Sequence, residues 1–511
     1  MSLISKHILC TIVFYLFLPF FIYGQYNVVP GFQEVQVNKG QFKLTASSRI
    51  VADTGSYKKL ERDLMVFKKE LGLLTGMELL VVEGEFQKGD LVFTLDANDE
   101  TLGAEAYQMD ISRQVLIKAK TTKGAFYSMQ SLLQLFEQDN KIQNGFIHDF
   151  PEYTERGFML DLGRKYFEIE YIETLIRKMA WMKMNFIHLH FTDWSGFRLK
   201  SDLFPGLAAE QSYGKEEIRR IQDYAAKYHV MVVPEIDLPA HATTITDYNP
   251  YLGFKCPSMR SSWWQTASLE KAGYSAEGKA WTLDFTRREV RSWIMALLDE
   301  WIPLFDGPYF HIGGDEYQYD REKYACEELV MAAKEMGYEY PGDVFVDFIN
   351  ELNEHIKSYG KTTQIWNWWR FSQNESRQNK TSIQPAKDIV INAWNRSRLE
   401  DILADGYRVV ITSETGEEAL YVVPGMGRKP GEYGYFDSKK IYEQWKPQTD
   451  PNVNGFKICL WTNYVEDKQD DWFNQFIDLP IAVVAERTWG VEHDKSLEQF
   501  QDRLEKVIFP F

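Results

Sequence analysis

Scarcity narrows the reading of this chain first. In 511 residues there are only 4 cysteines, Cys10, Cys256, Cys326 and Cys459. So sparse a set, each among apolar neighbours, cannot build a disulfide framework. Packing rather than bridging is expected to hold the fold. A basic cluster is also lacking, because 57 Lys and Arg are spread among 74 Asp and Glu, for a net charge of −17. Neutralising phosphates needs concentrated Lys and Arg, so a nucleic-acid partner is excluded. Long apolar runs are missing beyond the N-terminus, so no membrane span is expected. The one apolar run, Ile8 to Tyr23, follows Lys6 and His7, is short for a span, and ends at Gly24-Gln25. It reads as a cleaved signal peptide over residues 1–24 and implies a secreted or periplasmic protein. Cys10 lies inside the run rather than after a small-residue cleavage box, and a lipid anchor is the alternative.

What the chain has in quantity is apolar and aromatic material. It is 44% hydrophobic and 15% aromatic, with 15 Trp, 28 Tyr and 33 Phe. This is enough for a large core, and the length predicts two domains. Most rings serve the core, while some are suited to stacking on the C–H faces of sugars. From residue 25 to 151 short apolar strands (Phe42-Lys-Leu44, Leu79 to Val82, Leu91 to Leu95, Val115 to Lys118) surround helical spacings at Tyr57 to Leu74 and Gly124 to Phe136. This reads as a small α+β domain without chemistry of its own. From 152 to 511 eight apolar runs alternate with amphipathic helices: FMLDLGR, FIHLHFTD, MVVPEID, YFHIGGDE, TTQIWNW, IVINAW, VVITSE and FKICLWTN. Helices are expected at Glu168 to Met182, Lys215 to Tyr228, Arg287 to Trp301, Val344 to Ser358 and Leu399 to Asp405. The fold class is therefore α/β, a (β/α)8 barrel behind a small α+β domain. The stretch Pro250 to Ala280 is long enough for a binding loop.

Active sites of such barrels lie at the C-terminal ends of the strands, and Asp193, Glu235, Asp237, His241, Asp315 and Glu316 all fall there. Adjacent carboxylates after Gly-Gly, in Phe310-His-Ile-Gly-Gly-Asp-Glu316, repel each other in a cleft and push one pKa upward. A carboxyl with a raised pKa suits protonation of a departing glycosidic oxygen, next to a second group that steadies the oxocarbenium-like centre.

His-x-Gly-Gly-Asp-Glu after an apolar strand resembles the signature of glycoside hydrolase family 20, the β-N-acetylhexosaminidases. The likeness covers essentially the whole chain after the leader, because the Gly124-Ala-Phe-Tyr run is similar to the domain preceding family 20 barrels. The resemblance implies retaining, exo-acting removal of terminal β-linked GlcNAc or GalNAc from a glycan, without metal or organic cofactor. In it the substrate's own 2-acetamido oxygen attacks the anomeric carbon and forms an oxazolinium. It implies that Asp315 orients the acetamido N–H and that Glu316 acts as acid and then base. Asp193 and His241, in blocks similar to the family's, form a relay to Glu316. Arg164, closing Arg156-Gly-Phe-Met-Leu-Asp-Leu-Gly-Arg164, binds sugar hydroxyls. Trp366, Trp394 and Trp461 wall the acetamido pocket, and Tyr421 hydrogen-bonds the acetamido oxygen.

Two positions depart from the pattern. Tyr421-Val-Val423 lacks the Asp that commonly follows, and Asn463, in Leu460-Trp-Thr-Asn463, stands where Glu is usual. A rim around O4 and O6 without these charges predicts a preference other than plain GlcNAc, either GalNAc or 6-O-sulfated GlcNAc. Three rival readings remain: a glycan-binding protein on an inactive barrel, an acetamido-assisted glycosidase of other linkage, and a metal-dependent barrel hydrolase using His188 and His190. The last lacks a bridging Lys and has its His-x-His in the second βα unit.

Overall fold

The computed structural model describes residues 26–256, 259, 279–317, 326–370 (backbone only at 370), 380–394, 399–413, 419–491, 494–507 and 509–510. The expected leader with Cys10, most of the loop from Pro250 to Ala280, and the Asn-x-Ser/Thr sites at Asn374, Asn379 and Asn395 lie outside the described residues.

The first domain is one seven-stranded sheet. Its strands are β1 (Glu34–Lys43), β2 (Arg49–Ala52), β3 (Leu80–Glu83), β4 (Leu91–Leu95), β5 (Tyr107–Ile111), β6 (Val115–Ala119) and β7 (Lys141–Asp149), in spatial order β1-β7-β5-β6-β4-β2-β3. Helix Tyr57–Thr75 buries Leu60, Leu64, Phe67 and Leu71, a stripe spaced three and four residues apart. Helix Thr122–Gln138 starts at Thr121, whose side chain accepts from the N–H groups of Lys123 and Gly124, the capping that Thr performs well. This second helix is buried along Gly124 to Phe136, because it lies between its own sheet and the barrel.

The second domain closes into a barrel. Eight parallel strands take part: β8 (Glu155–Asp161), β9 (Phe186–His190), β12 (Met231–Leu238), β13 (Tyr309–Gly313), β14 (Thr362–Trp366), β15 (Val390–Ala393), β16 (Arg408–Ile411) and β18 (Val453–Leu460). Each pairs with the next, and β18 pairs with both β16 and β8, which leaves no open edge. A hairpin of β10 (Thr192–Asp193) and β11 (Gly196–Phe197) follows β9, and the short β17 (Tyr421–Val422) lies along β18. All eight apolar runs form strands. Helices Ile169–Trp181, Lys215–Lys227, Arg288–Trp301 and Leu399–Ala404 occupy their expected places. Helix Pro341–Ser358 begins earlier than the apolar spacing indicates, since Pro at the first helical position is pre-set for it.

The two domains share buried ion pairs. Lys183 Nζ lies 2.7 Å from Asp149 Oδ2 with both side chains fully buried. Tyr107 and Trp489 also donate to the Asp149 carboxylate, at 2.6 and 2.8 Å, and Arg156 pairs with Glu105 at 2.7 Å.

One expectation is overturned. Cys256 and Cys326 form a disulfide across 70 residues of sequence. The pair follows β12 and β13, which are neighbours in the barrel, so closure brings together two loops that the sequence keeps apart. Cys459, on β18, stays free and buried.

Candidate active site

The site is assembled at the C-terminal ends of β8, β9, β12 and β13. Register places Asp161 opposite His190, His190 opposite Glu235, and Glu235 opposite His311, so one level of the barrel is polar. Beyond it the chain turns sharply at Gly313 (φ 67°) and Gly314 (φ 90°). A Cβ on Gly313 would stand 1.8 Å from Asp237 Oδ1, so only glycine lets β13 deliver the next two residues into the cleft. Those residues, Asp315 and Glu316, are 8% and 9% exposed. Glu316 and His241 both hold positive φ, 45° and 53°. Strain of this kind in non-glycine residues costs about 1–3 kcal/mol each and persists where the surroundings enforce it.

His241 joins the acids. Its Nδ1 is 3.0 Å from Asp193 Oδ1, and its Nε2 is 3.2 Å from Glu316 Oε2 and 3.4 Å from Asp315 Oδ2. The Trp281 ring packs against the imidazole with centroids 4.5 Å apart, and its indole N–H donates to the Glu316 carbonyl at 3.1 Å. Asp193 is anchored in turn by His190 Nε2 at 2.9 Å, Arg164 Nη2 at 2.8 Å and the N–H of Trp194 at 2.6 Å. Arg164 also donates to Asp161 Oδ2 at 2.9 Å and lies over the Trp461 ring, 5.2 Å from its centroid.

The charges follow from this geometry. Burial raises the Glu316 carboxyl above its ordinary range; His241 pulls it back down, and the charge of Asp315 adds to the rise. Burial also opposes charging His241, but Asp193, Asp237 and Asp315 outweigh it and hold the imidazole well above its usual pKa. Asp193 is kept ionised despite burial by Arg164 and His241. Asp237, buried beside Asp315, is pushed well above the ordinary Asp value. Glu316 is thus a carboxyl biased to keep its proton, next to a cationic imidazole whose orientation Asp193 fixes.

The tryptophans assemble as a small cluster of their own. Met159, Trp366, Tyr421, Val423 and Cys459 are buried together, with Trp394 and Trp461 packed against them. The Trp366 and Trp461 centroids are 6.1 Å apart, and the Trp366 N–H donates to Glu235 at 2.8 Å. The Tyr421 hydroxyl donates to the carbonyl of Trp394 and lies 3.2 Å from Thr412 Oγ1; its single proton is engaged there, so the expected donation to an acetamido oxygen is not set up in this arrangement. Val423 points into this cluster under Gly434, where a Cβ would sit 2.3 Å from the Val423 Cβ. Asn463 is half-buried beside Gly425. All ten sequence-predicted site residues therefore border one mouth of the barrel.

Several neighbours were given no role from sequence. Glu235 is fully buried between His188, His190, His311 and Trp366, and strand-end position was its only signal. Trp281 and Lys457 carried none. His188, Glu235 and His311 have ligand atoms spaced as a metal site would need, but Lys457 Nζ already stands 2.6 Å from His188 Nδ1. A cation is thus built into that place, and a divalent ion would be repelled by it.

Residues 153–492 match the catalytic domain of glycosyl hydrolase family 20, and residues 25–150 match domain 2 of the same family. The chain belongs to glycosyl hydrolase family 20. Among curated family 20 relatives, it is 27% identical over 520 residues to a beta-hexosaminidase of Porphyromonas gingivalis, covering 94% of this chain and 62% of that protein. It is 26% identical over 469 residues to the probable beta-hexosaminidase fdl of Drosophila melanogaster, covering 84% and 66%. The chain thus spans about two thirds or less of these relatives' own length. The fold is shared with an exo beta-N-acetylglucosaminidase of Vibrio harveyi (TM-score 0.77, 20% identity, covering 95% of this chain and 76% of that one). It is shared also with a chitobiase of Flavobacterium johnsoniae (TM-score 0.74, 24% identity, covering 94% and 72%).

Proposed function

We propose that this family 20 chain removes terminal β-linked N-acetylhexosamine from glycans with net retention, the substrate's acetamido group serving as nucleophile. The observation that carries the proposal is the Asp193, His241, Glu316 relay with Asp315 beside it. Glu316 protonates the glycosidic oxygen as the acetamido oxygen bonds to C1 and the C1–O bond breaks. Asp315 accepts the acetamido N–H and balances the positive oxazolinium. Water then attacks C1 as the C1–O bond of the oxazolinium breaks and restores the acetamido group, and the water's proton passes to the Glu316 carboxylate. Trp366, Trp394 and Trp461 confine the acetamido group, Arg164 holds sugar hydroxyls, and Tyr421 steadies the pocket wall. Turnover of an aryl β-GlcNAc or β-GalNAc, a β-configured first product by NMR, and inhibition by a thiazoline mimic of the oxazolinium test this reading. Absence of turnover on both glycosides overturns it.

We further propose that the preferred sugar is GalNAc or 6-O-sulfated GlcNAc rather than plain GlcNAc. Val423 and Asn463 supply no carboxylate toward O4 and O6. A galacto-configured sugar or a 6-O-sulfate suits a rim without those carboxylates, since a sulfate is repelled by Asp and Glu. Rates on aryl glycosides of GlcNAc, GalNAc and 6-sulfo-GlcNAc decide the matter, and a strong preference for unmodified GlcNAc overturns it. Export to the periplasm or beyond is part of the same proposal, resting on the N-terminal apolar run alone; detection of the chain in the cytoplasm with that run intact would sink it.

A further inference from the structure

A lysine is buried in the barrel interior below the acids, and the mechanism above does not use it. Lys457 on β18 is 0% exposed. Its Nζ donates to His188 Nδ1 on β9 and to Asn392 Oδ1 on β15, both at 2.6 Å, and lies 4.3 Å from the centroid of the Trp366 ring on β14. The groups whose charge bears on it are Glu235 on β12, Glu155 on β8, Cys459 on its own strand, and His188 and His311.

These contacts have a chemical consequence. A protonated amine on His188 Nδ1 requires a lone pair there, so the His188 proton sits on Nε2, 3.0 Å from Glu235 Oε2. Glu235 then faces His188, His190 and the Trp366 N–H, and is held well below its ordinary pKa: burial opposes this, and His190, His311 and His188 prevail. From Glu235 the contacts continue through His190 to Asp193, His241 and Glu316. Along this path charge alternates: Lys457 positive, Glu235 negative, His190 positive, Asp193 negative, His241 positive. Trp366 is gripped twice, by its N–H on Glu235 and by its face on the ammonium, a buried cation–π contact.

We propose that Lys457 is a positioning residue for this reaction: its ammonium fixes the Trp366 wall of the acetamido pocket and, through His188 and Glu235, the ionised relay that reaches Glu316. The proposal rests on the acetamido-assisted reading above. Burial lowers the Lys457 amine to about 8, against the ordinary 10.5, with Cys459, Glu235 and Glu155 resisting the shift. The cation is therefore lost just above neutrality, and the pocket should loosen there.

The test compares the parent protein with Lys457→Gln, which keeps a donor without charge, and Lys457→Met, which keeps neither. For folded Lys457→Gln, kcat/KM on an aryl β-N-acetylhexosaminide and affinity for the thiazoline should both fall about tenfold, and an inflection near pH 8 in the parent profile should vanish. An unchanged pH profile and thiazoline affinity, with only a lower Tm, overturns the proposal. A second readout needs no turnover. A lysine whose folded pKa lies below its unfolded one opposes folding at low pH, and that cost is relieved as pH rises through about 8 toward 10.5. Parent stability relative to Lys457→Met should therefore climb across that window, and a flat difference means that burial does not lower the Lys457 amine, which overturns the predicted loosening near pH 8. Should the parent turn over neither GlcNAc nor GalNAc glycosides, the proposed reaction fails, while this stability comparison still decides whether the buried amine titrates below its ordinary value.

Discussion

In the proposed reaction the Glu316 carboxyl gives a proton and then takes one back. Burial and Asp315 raise its pKa, which suits the first task, and His241 moderates the rise. Glu316→Gln removes the proton donor without changing shape, and steady-state kinetics on an unactivated disaccharide should show kcat/KM lower by about 10²–10⁴. A nitrophenyl glycoside, whose leaving group needs less help, should lose less. His241→Gln removes a cation that favours the ionised acid. The Glu316 pKa must then rise further, so the basic limb of the kcat/KM profile should move to higher pH, and a shift toward lower pH would contradict the assignment. Asp315 and Glu316 were legible in the sequence because they adjoin in one motif. Lys457 was not, since a single Lys in Phe456-Lys-Ile-Cys-Leu reads as the polar member of an alternating strand, and only closure of the barrel shows that this position faces inward.

At the scale of elements, the end of β13 determines whether the acids reach the cleft. Gly313 combines a left-handed backbone with an approach that leaves no room for a Cβ beside Asp237. Gly313→Ala should cost about 3 kcal/mol or more, visible as a lower denaturation midpoint. Any folded fraction should be inactive, since relieving the clash displaces Glu316. The eight strands were readable because buried parallel strands are short, apolar and regularly interrupted. β10, β11 and β17 were not, because two-residue strands exist only through their partners. Pairing of Cys256 with Cys326 was equally hidden: 70 residues separate them, and what joins them is the adjacency of β12 and β13.

On the scale of the whole molecule, the two domains are fastened by charge as well as by packing. Lys183, from the barrel, and Asp149, from the first sheet, are both fully buried, and Tyr107 and Trp489 complete the shell around the carboxylate. Lys183→Met should leave Asp149 charged and unpaired in the interface, which costs about 3–5 kcal/mol. Calorimetry should show a lowered or split transition, and the active site, built at the C-terminal ends of the strands while Lys183 precedes the start of β9, should keep its KM in whatever remains folded. An unchanged midpoint would mean that the domains do not depend on this pair.

The sequence by itself determined the barrel, the domain that precedes it and the place of Asp315 and Glu316 at the end of one strand, because strand periodicity and a contiguous motif are local properties of a chain. The tertiary structure alone decided which charges meet. Asp193, His241 and Glu316 are joined through space, Val423 turns into the tryptophan cluster rather than onto an open rim, two distant cysteines bond, and Lys457 comes to rest among histidines. Each of these depends on closing eight strands around one axis, and closure is a relation between segments that no single segment encodes.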